Sequence, residues 1–351
     1  MKVVFDNIIY SLQRAGGISG VWTELISRLM SHPGIDAMFV EHSGAERNIF
    51  RSRLAIPSRR IIPARSLPPV IDRWLVPRLP DFGEPFVFHS SYYRTAPQSS
   101  GALNVTTVHD FIYETQRIGS PVARALHRRM MRRAVARSAA VACVSQSTAH
   151  DLITLYGSAA SPVVIPNAPL CTPGGEVTAV SGRKLLYVGS RAPYKRFDLA
   201  VEASVLLGRT LVVAGAPLAS AERRMIARAG AQVEPVVYPS GDTLAGLYSS
   251  AAALIYPSAA EGFGIPVTEA QAWGCPVVAV DAPWLRCVAA PGSVMAVCAP
   301  VARAIAAAVE SLDDRAVRES LVEDGHKNAA RYSWQRAADD YFNIYSSLIG
   351  R

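Results

Sequence analysis

The second half of the chain carries short, almost continuous apolar runs that alternate with helix-like segments. The runs occupy residues 184–188, 210–214, 233–237, 253–256 and 276–280. An apolar run without polar alternation predicts a strand buried on both faces, and such strands belong to parallel sheets that are covered by helices. This half is therefore expected to form a doubly wound α/β domain.

The first half alternates in the same way, with less regular segments. Strand-like apolar runs occupy residues 3–5, 86–89, 104–109 and 139–144. Helical patterns occupy residues 20–30, 121–136 and 147–156. Ser147 is the expected N-cap of the third of these helices. Residues 47–85 are rich in Pro and Arg, which predicts long loops or short helices.

Chain length and a linker-like segment divide this alternating pattern into two domains. The 351 residues suit about two domains. An apolar stretch followed by Pro and Gly at 163–173 is typical of an interdomain linker. We therefore place one Rossmann-like domain at residues 1–166 and another at residues 167–333. An amphipathic helical pattern follows over residues 334–349.

Composition favours a cytoplasmic protein. Half of the residues are hydrophobic, yet no apolar run reaches the ~18 residues that cross a bilayer. Five cysteines without a Cys-x-x-Cys pair favour reduced thiols and argue against a metal cluster. Asp6 and Asn7 interrupt the first apolar segment, so the N-terminus indicates a buried strand rather than a signal peptide.

The net charge of +8 lies wholly in residues 1–166, which hold 19 Lys and Arg against 11 Asp and Glu. The densest basic segment is helical in pattern, with Leu126, Met130 and Ala134 on one face. The candidates for contact with an anionic membrane surface or with an acceptor are Arg124, Arg128, Arg129, Arg132 and Arg133. A solvated helix without a partner remains an alternative. Nucleic acid is disfavoured, because no aromatic stacking pattern accompanies the arginines.

Two glutamates frame a glycine loop that follows the apolar run at 253–256. Glu261 stands in the loop, and Glu269 stands about one turn into a helix that opens with Pro266. Gly262 and Gly264 let a ligand approach the backbone, and the free N–H groups of a helix start suit a phosphate. Carboxylates suit sugar hydroxyls, because ionised carboxylates are strong acceptors. The spacing alone is equally compatible with an ordinary strand-loop-helix segment in which the two glutamates have no functional role.

Several segments together resemble the retaining glycosyltransferases of family 4, also called group 1, which have the GT-B fold. The matching segments are residues 108–110, 164–167, 187–196, 261–280 and 333–334, in the family's order over nearly the whole chain. The resemblance implies an α/β fold of two Rossmann-like domains that face each other across a cleft. It implies an acceptor-binding domain at 1–166, a nucleotide-sugar-binding domain at 167–333, and a helix at 334–351 that packs back on the first domain.

The resemblance also assigns roles to individual residues. It implies that Lys195 and Arg191 bind the donor diphosphate. Arg191 stands one residue later than the family's arginine, so Arg196 is an alternative for the same role. It implies that His109 contacts the transferring sugar, and that Asp110 orients the imidazole ring.

The glutamate segment takes its roles from the same resemblance. Glu261 is implied to bind the sugar hydroxyls and is, with His109, a candidate catalytic residue; Glu269 is implied to bind the nucleotide ribose. Two glycine loops are implied to contact the diphosphate, through Gly16, Gly17, Gly262, Phe263, Gly264 and Ile265. For the first loop, a plain turn that caps a helix remains an alternative.

The chain lacks an Asp-x-Asp pair, which metal-dependent sugar transferases of the other main fold use to hold a divalent cation. Lys195, Arg191 and a helix N-terminus would take the cation's place beside the diphosphate. We therefore predict an enzyme that needs neither a metal nor a cofactor.

The resulting hypothesis is a retaining hexosyltransferase that uses a GDP- or UDP-linked sugar. The Tyr194-Lys195-Arg196-Phe197 loop resembles those of mannosyl- and related hexosyltransferases of O-antigen assembly. The expected acceptor is a saccharide, linked to an isoprenoid diphosphate, of a bacterial surface polysaccharide, reached at the inner face of the membrane. A GT-B nucleotide-sugar epimerase is one alternative. A noncatalytic sugar-nucleotide or lipid-binding partner is another, because Ala168 and Cys287 depart from the family's pattern.

Overall fold

A computed structural model describes residues 1–157, 161–174 and 182–350 of the chain. The chain divides into two compact units. One comprises Met1–Asn167 together with Trp334–Arg351, and the other comprises Ala168–Ser333.

The first unit is built on a seven-stranded parallel sheet. Its strands are β1 (Lys2–Asp6), β2 (Asp36–Glu41), β3 (Ile61–Pro63), β4 (Phe86–Ser90), β5 (Ala102–Val108), β6 (Ala140–Cys143) and β7 (Val163–Val164). Their order in the sheet is β3-β2-β1-β4-β5-β6-β7. The direction of winding reverses between β1 and β4, where Val3 lies opposite Val87. In doubly wound sheets the carboxyl ends at such a reversal open a ligand-binding crevice.

Helices of 4 to 17 residues connect these strands. They are α1 (Ile9–Leu12), α2 (Gly17–Leu29), α3 (Pro69–Asp72), α4 (Ile112–Thr115), α5 (Pro121–Arg137) and α6 (Gln146–Tyr156). Single 3-10 turns lie at Ala45–Arg47, Arg51–Arg53, Ser58–Arg60 and Gln98–Ser100. Phe5 is fully buried and stacks on Phe39 of the neighbouring strand, with ring centroids 5.6 Å apart.

The second unit contains a six-stranded parallel sheet. Its strands are β8 (Leu185–Val188), β9 (Leu211–Gly215), β10 (Val233–Val237), β11 (Ala253–Tyr256), β12 (Val277–Val280) and β13 (Met295–Val297). Their order is β10-β9-β8-β11-β12-β13, so the winding reverses between β8 and β11. The helices are α7 (Phe197–Leu206), α8 (Ser220–Ala229), α9 (Gly241–Ser250), α10 (Ile265–Ala272), α11 (Pro283–Val288), α12 (Ala302–Glu310) and α13 (Arg315–Ala329). Two 3-10 turns lie at Pro193–Lys195 and Ser311–Asp313.

Both faces of this second sheet are buried. Leu185 and Ile255 belong to one hydrophobic cluster, while their chain neighbours Leu186 and Leu254 belong to another on the opposite face. Successive side chains of a strand point to opposite faces. A central strand with helices on both sides therefore needs an apolar residue at every position, which is the pattern that the sequence displays.

The last helix, α14 (Trp334–Ile349), packs against α2 and β4 of the first unit. A buried polar chain joins it to the sheet. His89 Nδ1 lies 2.6 Å from the hydroxyl of Tyr345, and His89 Nε2 lies 2.8 Å from the hydroxyl of Thr107. That hydroxyl lies in turn 2.7 Å from the hydroxyl of Tyr341. Burial lowers the pKa of His89 to about 3, so the ring is neutral and serves as a hydrogen-bonding group.

The expected fold class of two doubly wound parallel sheets is confirmed, with local corrections. Ser147 is not the N-cap of α6; Ser145 is, and its hydroxyl accepts a hydrogen bond from the Thr148 N–H at 3.1 Å. Residues 163–164, expected in a linker, form the edge strand β7. The run at 233–237 is a strand but is not buried on both faces, because β10 lies at the edge of its sheet.

Besides β7, three further strands were not expected from the sequence: β2, β3 and β13. β2 mixes charged and apolar residues, and the other two strands are only three residues long. Around β3, residues 47–85 contain short helices as expected, including α3.

Candidate active site

In the second unit, a lysine and a glutamate meet at the carboxyl ends of β8 and β11, where the sheet reverses its winding. Lys195 Nζ lies 2.6 Å from Glu261 Oε1. The hydroxyl of Tyr256, the last residue of β11, donates to the same oxygen at 2.8 Å. Lys195 Nζ also lies 3.4 Å from that hydroxyl. The sequence thus brings a cation, a carboxylate and a phenol together at the position where α/β sheets bind ligands.

A glycine turn fixes the path of the chain from Glu261 into α10. Gly264 is the N-cap of α10 and has φ +85, a conformation that favours glycine. A Cβ there would lie 2.5 Å from the Trp284 ring. The Phe263 side chain is buried and packs edge-on against Tyr332, with ring centroids 5.0 Å apart. The buried ring leaves only the backbone of Phe263 for the predicted diphosphate contact, which stays a prediction.

Glu269 lies inside the second unit and ties α10 to two other segments. Its Oε2 accepts from the Tyr248 hydroxyl at 2.8 Å, and its Oε1 accepts from the Leu170 N–H at 3.2 Å. Burial raises the pKa of Glu269 to about 7, although these hydrogen bonds and one from the Cys171 N–H favour the charged form. The carboxylate therefore anchors the chain where it enters this unit, and a role towards ribose stays a prediction.

Arg191 is held by protein groups in the same unit. Its Nη2 donates to the carbonyls of Ala216 and Pro217 at 2.9 and 2.8 Å, and its Nε lies 2.9 Å from Glu222 Oε1. The guanidinium thus secures the connection between β9 and α8. Its rival Arg196 forms an ion pair with Asp198, with a 3.4 Å separation. The role of Arg191 in binding the diphosphate therefore stays a prediction. Unlike Arg191, Lys195 contacts Glu261.

The other predicted site residues belong to the first unit. His109 follows β5 directly and is buried, which lowers its pKa to about 4 and leaves the ring neutral near pH 7. Asp110 Oδ1 accepts from the Ile112 N–H at 3.0 Å at the start of α4. Gly16 is the N-cap of α2 in extended conformation, and a Cβ added at Gly17 would meet no neighbouring atom within 4 Å. The glycine loop therefore caps a helix as well, while its predicted contact with the donor stays untested.

A buried charged cluster at the carboxyl ends of β1, β2 and β4 was not selected from the sequence. Arg94 connects Asp6 and Asp72, with N–O separations of 3.3 and 3.0 Å. His42 and Arg65 reach Asp72 at 3.1 and 3.2 Å. Burial raises the pKa of Asp6 against the opposing effect of Arg94. One available signal was Asp6 itself, a carboxylate at the end of an apolar strand.

Two tyrosines of the second unit, Tyr248 and Tyr256, were not predicted as site residues from the sequence. Tyr256 and Tyr248 are buried and each donates a hydrogen bond to one of the two framing glutamates. Tyr256 lies within the apolar run that predicted β11, so the sequence pattern indicates a core residue and gives no separate role to its hydroxyl. A polar atom at the last position of a buried strand was the signal that could have identified it.

The five arginines of α5 lie in different surroundings. Arg124 Nη1 donates to the carbonyls of Arg117 and Gly119 at 3.0 and 2.7 Å. Arg132 lies over the Tyr156 ring, 5.5 Å from its centroid. The remaining three are exposed: Arg128, Arg129 and Arg133.

The part of the chain that the structure describes shows neither a cluster of metal-ligating side chains nor a membrane-spanning helix. In that part, no three His, Cys, Asp or Glu side chains gather where they could hold a metal ion. None of the described helices has the length and apolar character needed to cross a membrane.

Two family models match consecutive parts of the chain. Residues 15–168 match the Glycosyltransferase Family 4 model, and residues 177–328 match the Glycosyl transferases group 1 model. The chain belongs to this family of glycosyltransferases, as the resemblance predicted.

Curated relatives support the same family at moderate identity. O-antigen chain mannosyltransferase B of Escherichia coli is 32% identical over 111 residues, which cover 32% of this chain and 29% of the relative. D-inositol 3-phosphate glycosyltransferase of Jonesia denitrificans is 31% identical over 245 residues, which cover 60% of this chain and 57% of the relative. The chain thus spans less than two thirds of the length of either relative.

Solved structures match over nearly the whole chain. Sucrose-phosphate synthase of Thermosynechococcus elongatus superimposes with a TM-score of 0.77 at 18% identity, covering 100% of this chain and 99% of its own. The Anabaena protein HepE, solved in complex with UDP and glucose, gives 0.73 at 15% identity, covering 99% and 100%. These matches establish the fold, and the predicted GT-B class is confirmed.

Proposed function

We propose that this protein is a retaining, metal-independent glycosyltransferase that moves a hexose, with mannose favoured, from a GDP- or UDP-linked sugar to an acceptor hydroxyl. The observation that carries the proposal is the contact of Lys195 with Glu261 at the reversal of winding in the second sheet. The lysine supplies positive charge for a diphosphate, and the carboxylate accepts hydrogen bonds from sugar hydroxyls. Membership of the glycosyltransferase family supports this assignment.

The chemistry follows from the charges at the site. Lys195 exchanges part of its contact with Glu261 for the donor diphosphate and stabilises the negative charge that develops there as the bond to the sugar breaks. The acceptor oxygen forms its bond to the anomeric carbon on the face that the diphosphate leaves, and the departing phosphate oxygen takes the acceptor proton. Neutral His109 contacts the transferring sugar as a hydrogen-bonding group, because its lowered pKa makes it a weak base.

The proposed acceptor is a saccharide on an isoprenoid diphosphate, in the synthesis of a bacterial surface polysaccharide. The name of the Escherichia coli relative supports both this setting and the preference for mannose. The basic first half of the chain supports peripheral binding to the anionic inner face of the cell membrane. A phosphorylated polyol is a second candidate acceptor, because relatives in several organisms are named D-inositol 3-phosphate glycosyltransferase.

Thermal unfolding in excess EDTA tests the donor site. We expect GDP-mannose, UDP-glucose or UDP-GlcNAc, or the matching free nucleotide, to raise the unfolding midpoint selectively, because a ligand of the folded state stabilises it by mass action. Absence of a shift with every nucleotide would contradict the proposal and favour a noncatalytic partner. Free UDP and GDP report which base is recognised.

Product analysis then tests the reaction. With the stabilising donor and a saccharide acceptor, we expect a new glycoside of unchanged anomeric configuration, identified by the proton coupling constant in NMR. A changed nucleotide sugar formed without acceptor would instead identify an epimerase. Activity that is lost in EDTA and restored by Mg²⁺ or Mn²⁺ would contradict metal independence.

A further inference from the structure

The first unit contains a cavity of about 240 Å³ between α5 and the segment that follows α3. Side chains of opposite character line it: Arg73, Trp74, Leu75, Leu126, Arg129 and Arg133. The arginines come from two separate segments of the chain, and so do the apolar residues. The cavity is therefore amphipathic.

The positive charge in this cavity is not balanced by carboxylates. Among the described residues, no Asp or Glu lies within ion-pair distance of Arg73, Arg129 or Arg133, and none lines the cavity. Arg94 also lines it, but its charge is matched by Asp6 and Asp72. Three guanidinium groups around one cavity favour an anion with more than one negative charge, such as a diphosphate.

The Arg73 guanidinium lies over the Trp74 ring, 5.0 Å from its centroid, and its Nε is buried without a hydrogen-bond partner in the described part of the chain. A buried donor without a partner is costly, and an anion in the cavity would supply one. The unpaired Nε of Arg73 thus adds a hydrogen-bonding reason, besides charge, for an anionic ligand in the cavity.

The apolar side of the cavity is open to solvent. Trp74, Leu75 and Leu126 are 39%, 40% and 47% exposed. Val122, one turn before Leu126 on the same face of α5, is 68% exposed, and Ile71 at the end of α3 is 51% exposed. An exposed apolar group beside an unbalanced positive cluster is suited to a lipid with an anionic head.

We infer that this cavity binds the diphosphate head of an isoprenoid lipid through Arg73, Arg129 and Arg133, and its first isoprene units through Trp74 and Leu126. The inference rests on the proposed function, for which it supplies the place of the lipid-linked acceptor. It selects Arg129 and Arg133 from the five arginines of α5 and adds Arg73. The concave shape favours a single lipid head over a flat bilayer, so diffuse binding of α5 to a membrane becomes an outcome of the test.

The test is calorimetric titration of the full chain with farnesyl diphosphate, pyrophosphate and farnesol. We expect farnesyl diphosphate to bind at least about tenfold more tightly than the other two, because only it fills both sides of the cavity. The double variant R129A/R133A is expected to weaken that binding by about tenfold or more, since each charge-assisted hydrogen bond is worth about a tenfold change. Leu126→Ser is expected to weaken binding of farnesyl diphosphate while leaving that of pyrophosphate unchanged.

The matched control is R128A/R132A, which removes the same charge from the same helix but no cavity-lining group. It is expected to change the affinity by less than about threefold. Equal losses in the two double variants, with parallel losses of binding to phosphatidylglycerol vesicles, would overturn the inference in favour of a diffuse membrane contact. Equal affinity for pyrophosphate and farnesyl diphosphate would overturn it in favour of a simple anion site.

Nucleotide stabilisation separates this inference from the proposed function. R129A/R133A is expected to keep the rise in unfolding midpoint with the donor nucleotide, which also shows that the variant is folded. If the unmodified chain binds farnesyl diphosphate but no nucleotide, the proposed donor site fails while the lipid site stands. If it binds the nucleotide but not farnesyl diphosphate, the lipid site alone fails.

Discussion

At the scale of single residues, one carboxylate oxygen organises the candidate site. Glu261 Oε1 accepts from the ammonium of Lys195 and from the hydroxyl of Tyr256. The two donors hold the carboxylate in one orientation, and the described residues place no hydrogen bond on its other oxygen. A charge-assisted pair at the carboxyl ends of central strands suits a polar substrate, because both partners can exchange one contact for another when the ligand arrives.

Replacement of this carboxylate tests its role. We expect Glu261→Ala to lower kcat/KM by about a hundredfold, because it removes hydrogen bonds to the sugar and leaves Lys195 without its partner. The variant should stay folded with a lower unfolding midpoint, because the Lys195 ammonium and the buried Tyr256 hydroxyl both lose their acceptor. Glu319→Ala, at an exposed glutamate of α13, is the matched control. A folded Glu261→Ala variant with normal turnover would contradict the proposed role.

The raised pKa of Glu269 makes a second prediction at this scale. The folded-state pKa of about 7 lies above the ordinary value of 4.5, so the folded protein binds this proton more tightly than the unfolded chain does. The carboxyl's contribution to the free energy of unfolding should therefore fall as pH rises from about 4.5 to about 7, by at most about 3 kcal/mol. Glu269→Gln should flatten that fall, as measured by urea unfolding at pH 5 and pH 8. An unchanged pH dependence would refute the assignment.

At the scale of elements, the turn before α10 depends on a residue without a side chain. Gly264 combines positive φ with close approach to Trp284. The helix that follows positions Glu269, and the loop that precedes it positions Glu261. The backbone conformation at Gly264 therefore fixes the positions of both Glu261 and Glu269.

Gly264→Ala should disturb that turn. We expect a loss of about 1–3 kcal/mol in the free energy of unfolding, from backbone strain and from the clash with Trp284, together with lower turnover. Gly246→Ala in α9 is the control, because no atom lies within 4 Å of its added Cβ, and alanine favours a helix by up to about 1 kcal/mol. Equal stability of the two variants would show that the turn tolerates a side chain.

At the scale of the whole molecule, α14 belongs to the first unit although it follows the second in sequence. Its attachment combines apolar packing against α2 and β4 with the buried contact of Tyr345 to His89. Removing only one partner of such a buried hydrogen bond is costly, because the other group then stays buried with neither water nor a protein partner to bond.

Tyr345→Phe tests how strongly this contact holds α14. We expect the free energy of unfolding of the first unit to fall by about 1–3 kcal/mol, because the imidazole Nδ1 loses its buried partner. Ser347→Ala, at an exposed position of the same helix, should change it by less than about 0.5 kcal/mol. Guanidinium unfolding followed by circular dichroism measures both. A loss in Tyr345→Phe no larger than in the control would show that apolar packing alone attaches α14.

The sequence by itself determined the α/β class, most central strands, the family, and the placement of Lys195 and Glu261 after two of those strands. Those features are local, because apolar periodicity and motif order are visible within short windows. The sequence did not reveal short or mixed strands such as β3 and β2, whose pairing depends on neighbours distant in the chain.

Only the tertiary structure decided which side chains meet. Lys195 contacts Glu261 across 66 positions, and His89 contacts Tyr345 across 256 positions. It also separated Arg129, which lines a cavity, from Arg124, which binds backbone carbonyls of its own neighbourhood. The physical reason is that a local pattern reports which face a residue occupies, whereas burial, ion pairing and pKa depend on what the rest of the chain places against that face.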